Sequence, residues 1–188
     1  MDAYLDIETT GLSPDSSQIT VIGIYLVGSE QQSLVQLVGD DITSDRLLEA
    51  LEGVTMIHTY NGSRFDLPFI HAYLGINLGQ MFPHFDLMYR CWHFNLYGGL
   101  KRIERVLGIP RKLTDINGLD AVRLWWRYVN DYDEQALHIL LAYNREDVVN
   151  LKTLKELLAA RSDGGANSGE SVRPSTNISM PAKWSQRS

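Results

Sequence analysis

Nine consecutive residues, Ile19–Val27 (ITVIGIYLV), are almost all β-branched or apolar. A continuous apolar run of this length is typical of a strand that is covered on both faces, because a strand with one face in water alternates apolar and polar residues. Such a strand needs a sheet around it and a further layer on each side of that sheet. The chain must therefore supply more strands, and helices to cover them.

Other segments of the chain provide those elements. Strands are predicted at 3–7, 33–38, 54–58 and 85–87, and helices at 43–51, 63–74 and 134–161. The first three strands precede any helix, and later strands alternate with helical segments. This order predicts an α/β protein in which a mixed five-stranded sheet is flanked by helices.

The composition changes sharply after Arg161. Residues 1–161 carry the predicted strands and helices, whereas residues 162–188 are rich in Ser, Gly, Asn and Pro. A segment of that kind has too little apolar surface to offset the entropy lost on ordering. We therefore predict one domain over residues 1–161 and a disordered tail over residues 162–188.

Several classes of protein are excluded by simple counts. The single cysteine, Cys91, cannot form an intramolecular disulfide or a multi-cysteine metal site. We find no apolar run of about 18 residues that could cross a membrane. The N-terminus lacks a basic segment followed by an apolar one, so no signal peptide is expected and the predicted location is cytoplasmic. The formal net charge of -6 argues against a passive nucleic-acid binder, but not against an enzyme that grips phosphates through metal ions.

Four carboxylates occupy positions at strand ends or on helices where catalytic or metal-binding residues are often found. Asp6 and Glu8 are two residues apart at the end of an apolar strand, so both side chains lie on one face. Asp66 follows another strand and falls in the first turn of the helix predicted at 63–74. Asp147 lies within the last helix, four residues after Tyr143, which places those two side chains on one helical face. Individually, Asp66, Asp147 and Tyr143 could be ordinary helix residues, but together the five fit one reaction.

That reaction is the hydrolysis of a phosphodiester. Two divalent cations a few ångström apart stabilise the attacking and leaving oxygens of such a displacement. Carboxylates suit Mg²⁺ or Mn²⁺, and the sequence offers no cluster of softer ligands. A neighbouring tyrosine hydroxyl can orient the attacking water. The acidic residues therefore predict a centre that holds two divalent cations.

The same residues resemble the motifs of the DEDD superfamily of 3′–5′ exonucleases, which have the ribonuclease H-like fold. Asp6–Leu12 (DIETTGL) is similar to the first motif, Asn61–Asp66 (NGSRFD) to the second, and Tyr143 with Asp147 to the third. Tyrosine four residues before the last aspartate, with Ala142 where another subtype has histidine, resembles the tyrosine subtype. Within it, the chain looks most like the YprB-like branch.

The resemblance implies a role for each matching residue. Asp6 would bridge two metal ions, and Glu8 and Asp147 would complete the protein ligands of the first. Asp66 would hold the second ion, directly or through water, and Tyr143 would hydrogen-bond the nucleophilic water. These five are the predicted catalytic residues.

Predicted substrate contacts come from two sources. The resemblance implies that Thr9 and Leu12 cradle the 3′-terminal nucleotide and that Asn61 lies near the scissile phosphate. Independently, the segment 100–112 (LKRIERVLGIPRK) has one acidic residue, Glu104, and five basic ones: Lys101, Arg102, Arg105, Arg111 and Lys112. It is a candidate phosphate-binding track, although its apolar positions also fit an ordinary amphipathic helix. Lys101, Arg102 and Arg105 are the predicted contacts within it.

Taken together, these features predict a metal-dependent 3′–5′ exonuclease. Its partner would be single-stranded DNA or RNA with a free 3′ end, and its products nucleoside 5′-monophosphates. Three alternatives remain open at this point: a non-catalytic nucleic-acid-binding module, a nuclease subunit that needs a protein partner, and a ribonuclease H-like endonuclease. No protein partner is predicted from the sequence.

Overall fold

The computed structural model describes residues 1–164 and confirms the mixed five-stranded sheet. The strands are β1 (Asp2–Thr9), β2 (Ile19–Val27), β3 (Gln32–Val38), β4 (Met56–Thr59) and β5 (His84–Asp86). The helices are α1 (Ser44–Ala50), α2 (Asp66–Leu74), α3 (Leu78–Met81), α4 (Leu87–His93), α5 (Leu100–Leu107), α6 (Gly118–Asp131) and α7 (Glu134–Gly164). Strand order across the sheet is β3-β2-β1-β4-β5.

The central strand β1 separates two faces of the sheet. It pairs antiparallel with β2 on one side and parallel with β4 on the other. Its odd-numbered residues, such as Leu5 and Ile7, pack with α1, α2 and α3 in one core, and Tyr4 packs with α4, α5 and α7 in another. Because side chains alternate along a strand, Asp6 and Glu8 lie on the side of Tyr4, facing α7.

The two layers of helices bury complementary apolar surfaces. On the first face, Leu47 of α1 and Phe69 of α2 pack against β1 and β2. On the second face, α7 crosses both strands and contributes to two clusters of buried residues, one with α4 and α5 and one with α6. Through this packing α7 is fixed directly over the carboxyl end of β1, where its polar residues meet those of the strand.

Two predicted boundaries move because of Asp86. The fifth strand was expected at 85–87, but Asp86 ends β5 and caps α4 by accepting the Met88 N–H at 3.0 Å. The same carboxylate accepts the N–H groups of Asn61 at 2.8 Å and Ser63 at 3.0 Å. These bonds hold a turn in which Asn61 has a left-handed backbone (φ 65°), so α2 begins at Asp66 rather than at residue 63.

The last helix is longer than predicted. It continues to Gly164, three residues past the expected domain boundary at 161. The rest of the predicted tail, residues 165–188, lies outside the described residues. Among residues 1–164, no helix is both long enough and apolar enough to cross a membrane.

Candidate metal centre and cleft

Three of the four predicted carboxylates converge. Asp6 and Glu8 lie in the carboxyl-terminal half of β1, and the side chain of Asp147, on α7, lies close to both. One carboxylate oxygen from each lies within 4.8 Å of those of the other two. Residues separated by about 140 positions along the chain thus form one acidic cluster, which we call the carboxylate cluster (Asp6, Glu8 and Asp147).

Asp66 lies beside the carboxylate cluster and is not part of it. Pairing of β1 with β4 ends at Tyr4 and His58, so the next N–H groups along that edge of β1 need other partners. The Asp66 Oδ1 atom accepts one of them, the N–H of Ile7, at 3.1 Å. This bond holds the buried aspartate next to the carboxylate cluster, and it uses only one of the two carboxylate oxygens of Asp66.

Burial and mutual repulsion dominate the electrostatics of the four carboxylates. Burial, and then the charge of Asp147, raise the pKa values of Asp6 and Glu8 well above normal. Burial likewise raises the pKa of Asp66 to about 7 and that of Asp147 to about 6. Glu8 Oε1 is buried and has no hydrogen-bond partner within the described part of the chain. A buried carboxylate oxygen without a hydrogen-bond partner is costly among like charges, and a hard divalent cation would offset that cost.

An amide holds α7 against the sheet at this point. Asn144 Nδ2 lies 3.4 Å from both the backbone oxygen and Oδ2 of Asp6, and Asn144 Oδ1 accepts from Gln36 Nε2 at 3.0 Å. The close approach needs Gly23 of β2, opposite Asp6, because a Cβ atom there would overlap the Asn144 amide. The contact of Asn144 with Gln36 and Gly23 depends on tertiary packing and could not be predicted from the sequence.

Arg111 also belongs to the centre, in a role that the sequence did not suggest. Its Nη2 atom donates to Asp147 Oδ1, and its Nε and Nη2 atoms donate to Glu104 at 2.7 and 2.9 Å. Its side chain is only 5% exposed. The sequence places Arg111 in the candidate phosphate-binding track, but in the structure its charge is paired with the buried carboxylates of Glu104 and Asp147 and does not face a substrate strand.

The carboxylate cluster opens into a cleft of about 320 Å³. Tyr143 lines it, and burial followed by the charge of Asp147 raise the pKa of its hydroxyl, which is therefore protonated at neutral pH. Lys101 lies 4.3 Å from the centre of the Tyr143 ring and donates to the Ile116 carbonyl. Arg102 and the N-terminal ends of α5 and α6 complete the opposite wall.

The predicted substrate contacts do not all lie in the cleft, whereas the predicted metal ligands lie close together. Lys101 and Arg102 line the cleft, and Arg105 lies exposed one turn further along α5. Leu12 is 87% exposed in the loop after β1, and the Thr9 hydroxyl donates to Gly11 at 2.7 Å. These placements leave the roles of Arg105, Leu12 and Thr9 as predictions.

Asn61 likewise remains a predicted contact. Its backbone is committed, because its N–H bonds Asp86 and its carbonyl accepts from Arg64 and Phe65. Its side chain is half-buried. The neighbouring residue Tyr60, which was not among the predicted contacts, lines the cleft instead and donates to the Gly98 carbonyl.

Comparison with known proteins identifies the family. A ribonuclease H superfamily model, RNase_H_2, matches residues 3–159. The chain belongs to the ribonuclease H superfamily. Among curated proteins it is 27% identical over 172 residues to the uncharacterized protein YprB of Bacillus subtilis (strain 168), which confirms the predicted likeness to YprB. The alignment covers 80% of this chain but only 40% of YprB, so the chain spans less than half of that relative's length.

Solved structures share the ribonuclease H-like fold of this chain. Brucella melitensis NrnC superposes with a TM-score of 0.57 at 21% identity, covering 89% of this chain and 76% of NrnC. A family B DNA polymerase from Pyrobaculum calidifontis gives a TM-score of 0.64 at 17% identity, over 84% of this chain and 24% of the polymerase. A structure described as the apo form of a nuclease gives 0.58 at 18% identity, over 88% and 74%.

The close contact at Gly23 leads to a prediction about this ribonuclease H fold. Gly23→Ala is expected to lower the free energy of unfolding by about 1 to 3 kcal/mol, because the added methyl group must displace Asn144. Urea denaturation measures this. Gly28→Ala is the control, since a Cβ atom at Gly28 lies 3.5 Å from its nearest neighbour, an ordinary contact. Equal stability of the two variants would contradict the tight packing of Asn144.

Proposed function

We propose that the protein is a metal-dependent 3′–5′ exonuclease that degrades single-stranded DNA or RNA to nucleoside 5′-monophosphates. The observation that carries the proposal is the convergence of Asp6, Glu8 and Asp147 beside Tyr143, in a cleft on a ribonuclease H fold. The buried and unpaired Glu8 Oε1 atom supports a cation as the missing partner.

The donor set fits two divalent cations, Mg²⁺ or Mn²⁺. Asp6, Glu8 and Asp147 would hold one, and Asp66, beside Asp6, would hold the second directly or through water. When bound, such cations supply charge stabilisation for the attacking and leaving oxygens of the phosphodiester. In support, a solved structure of the similar NrnC, with a TM-score of 0.56, is described as containing bound Mg²⁺.

Tyr143 supplies a hydrogen bond in this proposal. Its raised pKa keeps the hydroxyl protonated, so the hydroxyl can donate to a phosphate oxygen or to the attacking water. The ring is held from one side by Lys101, whose ammonium group lies over it. The tyrosine therefore orients the reacting groups and does not need to act as a base.

The opposite wall of the cleft fits the phosphates of a single strand. Lys101 and Arg102 provide positive charge on a protein whose overall charge is -6. The first turn of α5, which begins at Leu100 and has no side-chain cap, presents backbone N–H groups and the positive end of the helix dipole. Together these groups would hold the strand while its last phosphodiester faces the carboxylate cluster.

The experiment is a time course on linear single strands labelled at the 5′ or the 3′ end, in DNA and RNA, with Mn²⁺, Mg²⁺ or EDTA. We expect the 5′-labelled strand to shorten one nucleotide at a time, and the 3′ label to appear at once as a mononucleotide. A closed circular single strand is the control, because an exonuclease has no end at which to begin.

Other outcomes would select another function. Cleavage of the circle would favour a ribonuclease H-like endonuclease. Binding of the strand without metal-dependent cleavage would favour a binding module or a subunit that requires a partner. Either result would overturn the proposed exonuclease activity.

A further inference from the structure

Four buried side chains form a continuous chain of hydrogen bonds that ends at the carboxylate cluster. Asn150 of α7 donates to Glu104 Oε1 of α5 at 2.9 Å. Glu104 accepts two hydrogen bonds from Arg111, which in turn donates to Asp147 Oδ1. The chain therefore leaves α7, passes through α5 and the loop after it, and returns to α7 at a candidate metal ligand.

Both the side chain of Arg111 and the backbone that follows it are held in place. Its side chain is 5% exposed and that of Glu104 is 2% exposed, so neither charge is solvated. The backbone is also fixed, because Glu146 accepts the N–H groups of Lys112 at 2.8 Å and Leu113 at 3.0 Å. A planar guanidinium held by a two-point contact with Glu104 has little freedom to turn, so its hydrogen bond to Asp147 sets where Oδ1 of that carboxylate lies. The third nitrogen, Nη1, lies 4.0 Å from Glu146 Oε2.

We propose that Arg111 is a positioning residue for the metal centre: it holds Oδ1 of Asp147, so that the other oxygen, Oδ2, is presented to the cation. The inference rests on the proposed function in that it takes the carboxylate cluster to be a metal site. Hydrogen bonds to a ligating carboxylate orient it, and their loss typically costs about ten- to a hundredfold in metal affinity.

A purely electrostatic effect of Arg111 has the opposite consequence. A positive charge beside a cation site repels the cation, so removing the charge would tighten metal binding. Lysine would keep the charge but lose the planar two-point contact with Glu104. Arg111→Lys and Arg111→Met therefore separate positioning from charge.

The test measures Mn²⁺ binding to the wild type and both variants by isothermal titration calorimetry, without any substrate. We expect the dissociation constant of Arg111→Lys to rise about tenfold or more, and that of Arg111→Met to rise at least as much. Lys112→Gln is the matched control, because this exposed neighbour contributes only its backbone N–H to the contacts described above. Its Mn²⁺ binding should equal that of the wild type.

Circular dichroism and thermal melting show whether each variant is folded. If the Arg111 variants do not fold, Asn150→Ala provides the test, since it removes a neutral support of Glu104 and changes no charge. We then expect a threefold or larger rise in the dissociation constant for Mn²⁺. If the only effect of Asn150→Ala were the cavity that the shorter side chain leaves, the melting temperature would fall and Mn²⁺ binding by the folded protein would be unchanged.

Three results would overturn the inference. Mn²⁺ binding by folded Arg111→Lys within twofold of the wild type would remove the positioning role, as would tighter binding by Arg111→Met. For the substitute test, unchanged binding by Asn150→Ala would do the same. Failure of the wild type to bind Mn²⁺ would instead remove the metal centre itself, and with it the proposed function.

Discussion

Asp6→Asn is expected to reduce the rate of hydrolysis by about a thousandfold or more. Asp6 belongs to the carboxylate cluster, and the charge of Asp66 also acts on it. The resemblance to the DEDD exonucleases implies that both proposed cations would share this carboxylate. Metal ions contribute several kcal/mol to the stabilisation of the transition state, and each 1.36 kcal/mol lost lowers the rate about tenfold. Asparagine keeps the shape of the side chain, and so the fold is expected to remain intact.

The measurement is the initial rate on a 5′-labelled single strand at saturating Mn²⁺, with circular dichroism as a check of folding. Asp2→Asn is the matched control, since Asp2 lies on the same strand at its opposite end and contacts Lys155 rather than the cleft. Its rate should stay within about twofold of the wild type. A folded Asp6→Asn variant that retains a tenth of the activity would refute the role assigned to Asp6.

Much of the site could be predicted because it depends on local periodicity. The alternation of side chains along a strand places Asp6 and Glu8 together, and the helical spacing of four places Tyr143 beside Asp147. The apolar run Ile19–Val27 predicted an interior strand with its correct boundaries. Each of these inferences needs only the geometry of one element.

The role of Arg111 could not be predicted in this way. As sequence, it looks like Lys101 or Arg102, a basic residue in a basic segment. What distinguishes it is the left-handed Gly108 that ends α5 and turns the chain back, so that Arg111 reaches Glu104, seven residues earlier, and Asp147 on another helix. Asn144 and Gly23 likewise meet only because α7 crosses β2. Contacts between distant segments carry no periodic signal.

The metal-free protein is expected to lose stability as pH rises from about 4 to 7. In this range the buried carboxylates, including Asp66 with a pKa of about 7 and Asp147 with a pKa of about 6, retain protons that the unfolded chain has released. Because the folded state binds more protons than the unfolded state, raising the pH favours unfolding. Deprotonation leaves like charges buried together in the carboxylate cluster.

Mn²⁺ is expected to reverse this loss at pH 7.5. At a metal concentration a hundredfold above the dissociation constant, binding to the folded state alone adds about 2.7 kcal/mol. For a protein of this size, that corresponds to a rise of about 5 to 11 °C in the melting temperature. At pH 5 the rise should be much smaller, because protons compete with the cation for the same oxygens.

Differential scanning fluorimetry at pH 5 and pH 7.5, with Mn²⁺ or EDTA, measures both effects, and Glu8→Gln isolates the contribution of the carboxylate cluster. Glu8 is a proposed ligand whose buried Oε1 atom has no hydrogen-bond partner among residues 1–164, so its neutral replacement relieves repulsion without leaving a former ion-pair partner uncompensated. In EDTA at pH 7.5 we expect Glu8→Gln to melt above the wild type, and in Mn²⁺ we expect the order to reverse. If the wild type melts higher in both conditions, like-charge repulsion is not what makes this cluster a cation site.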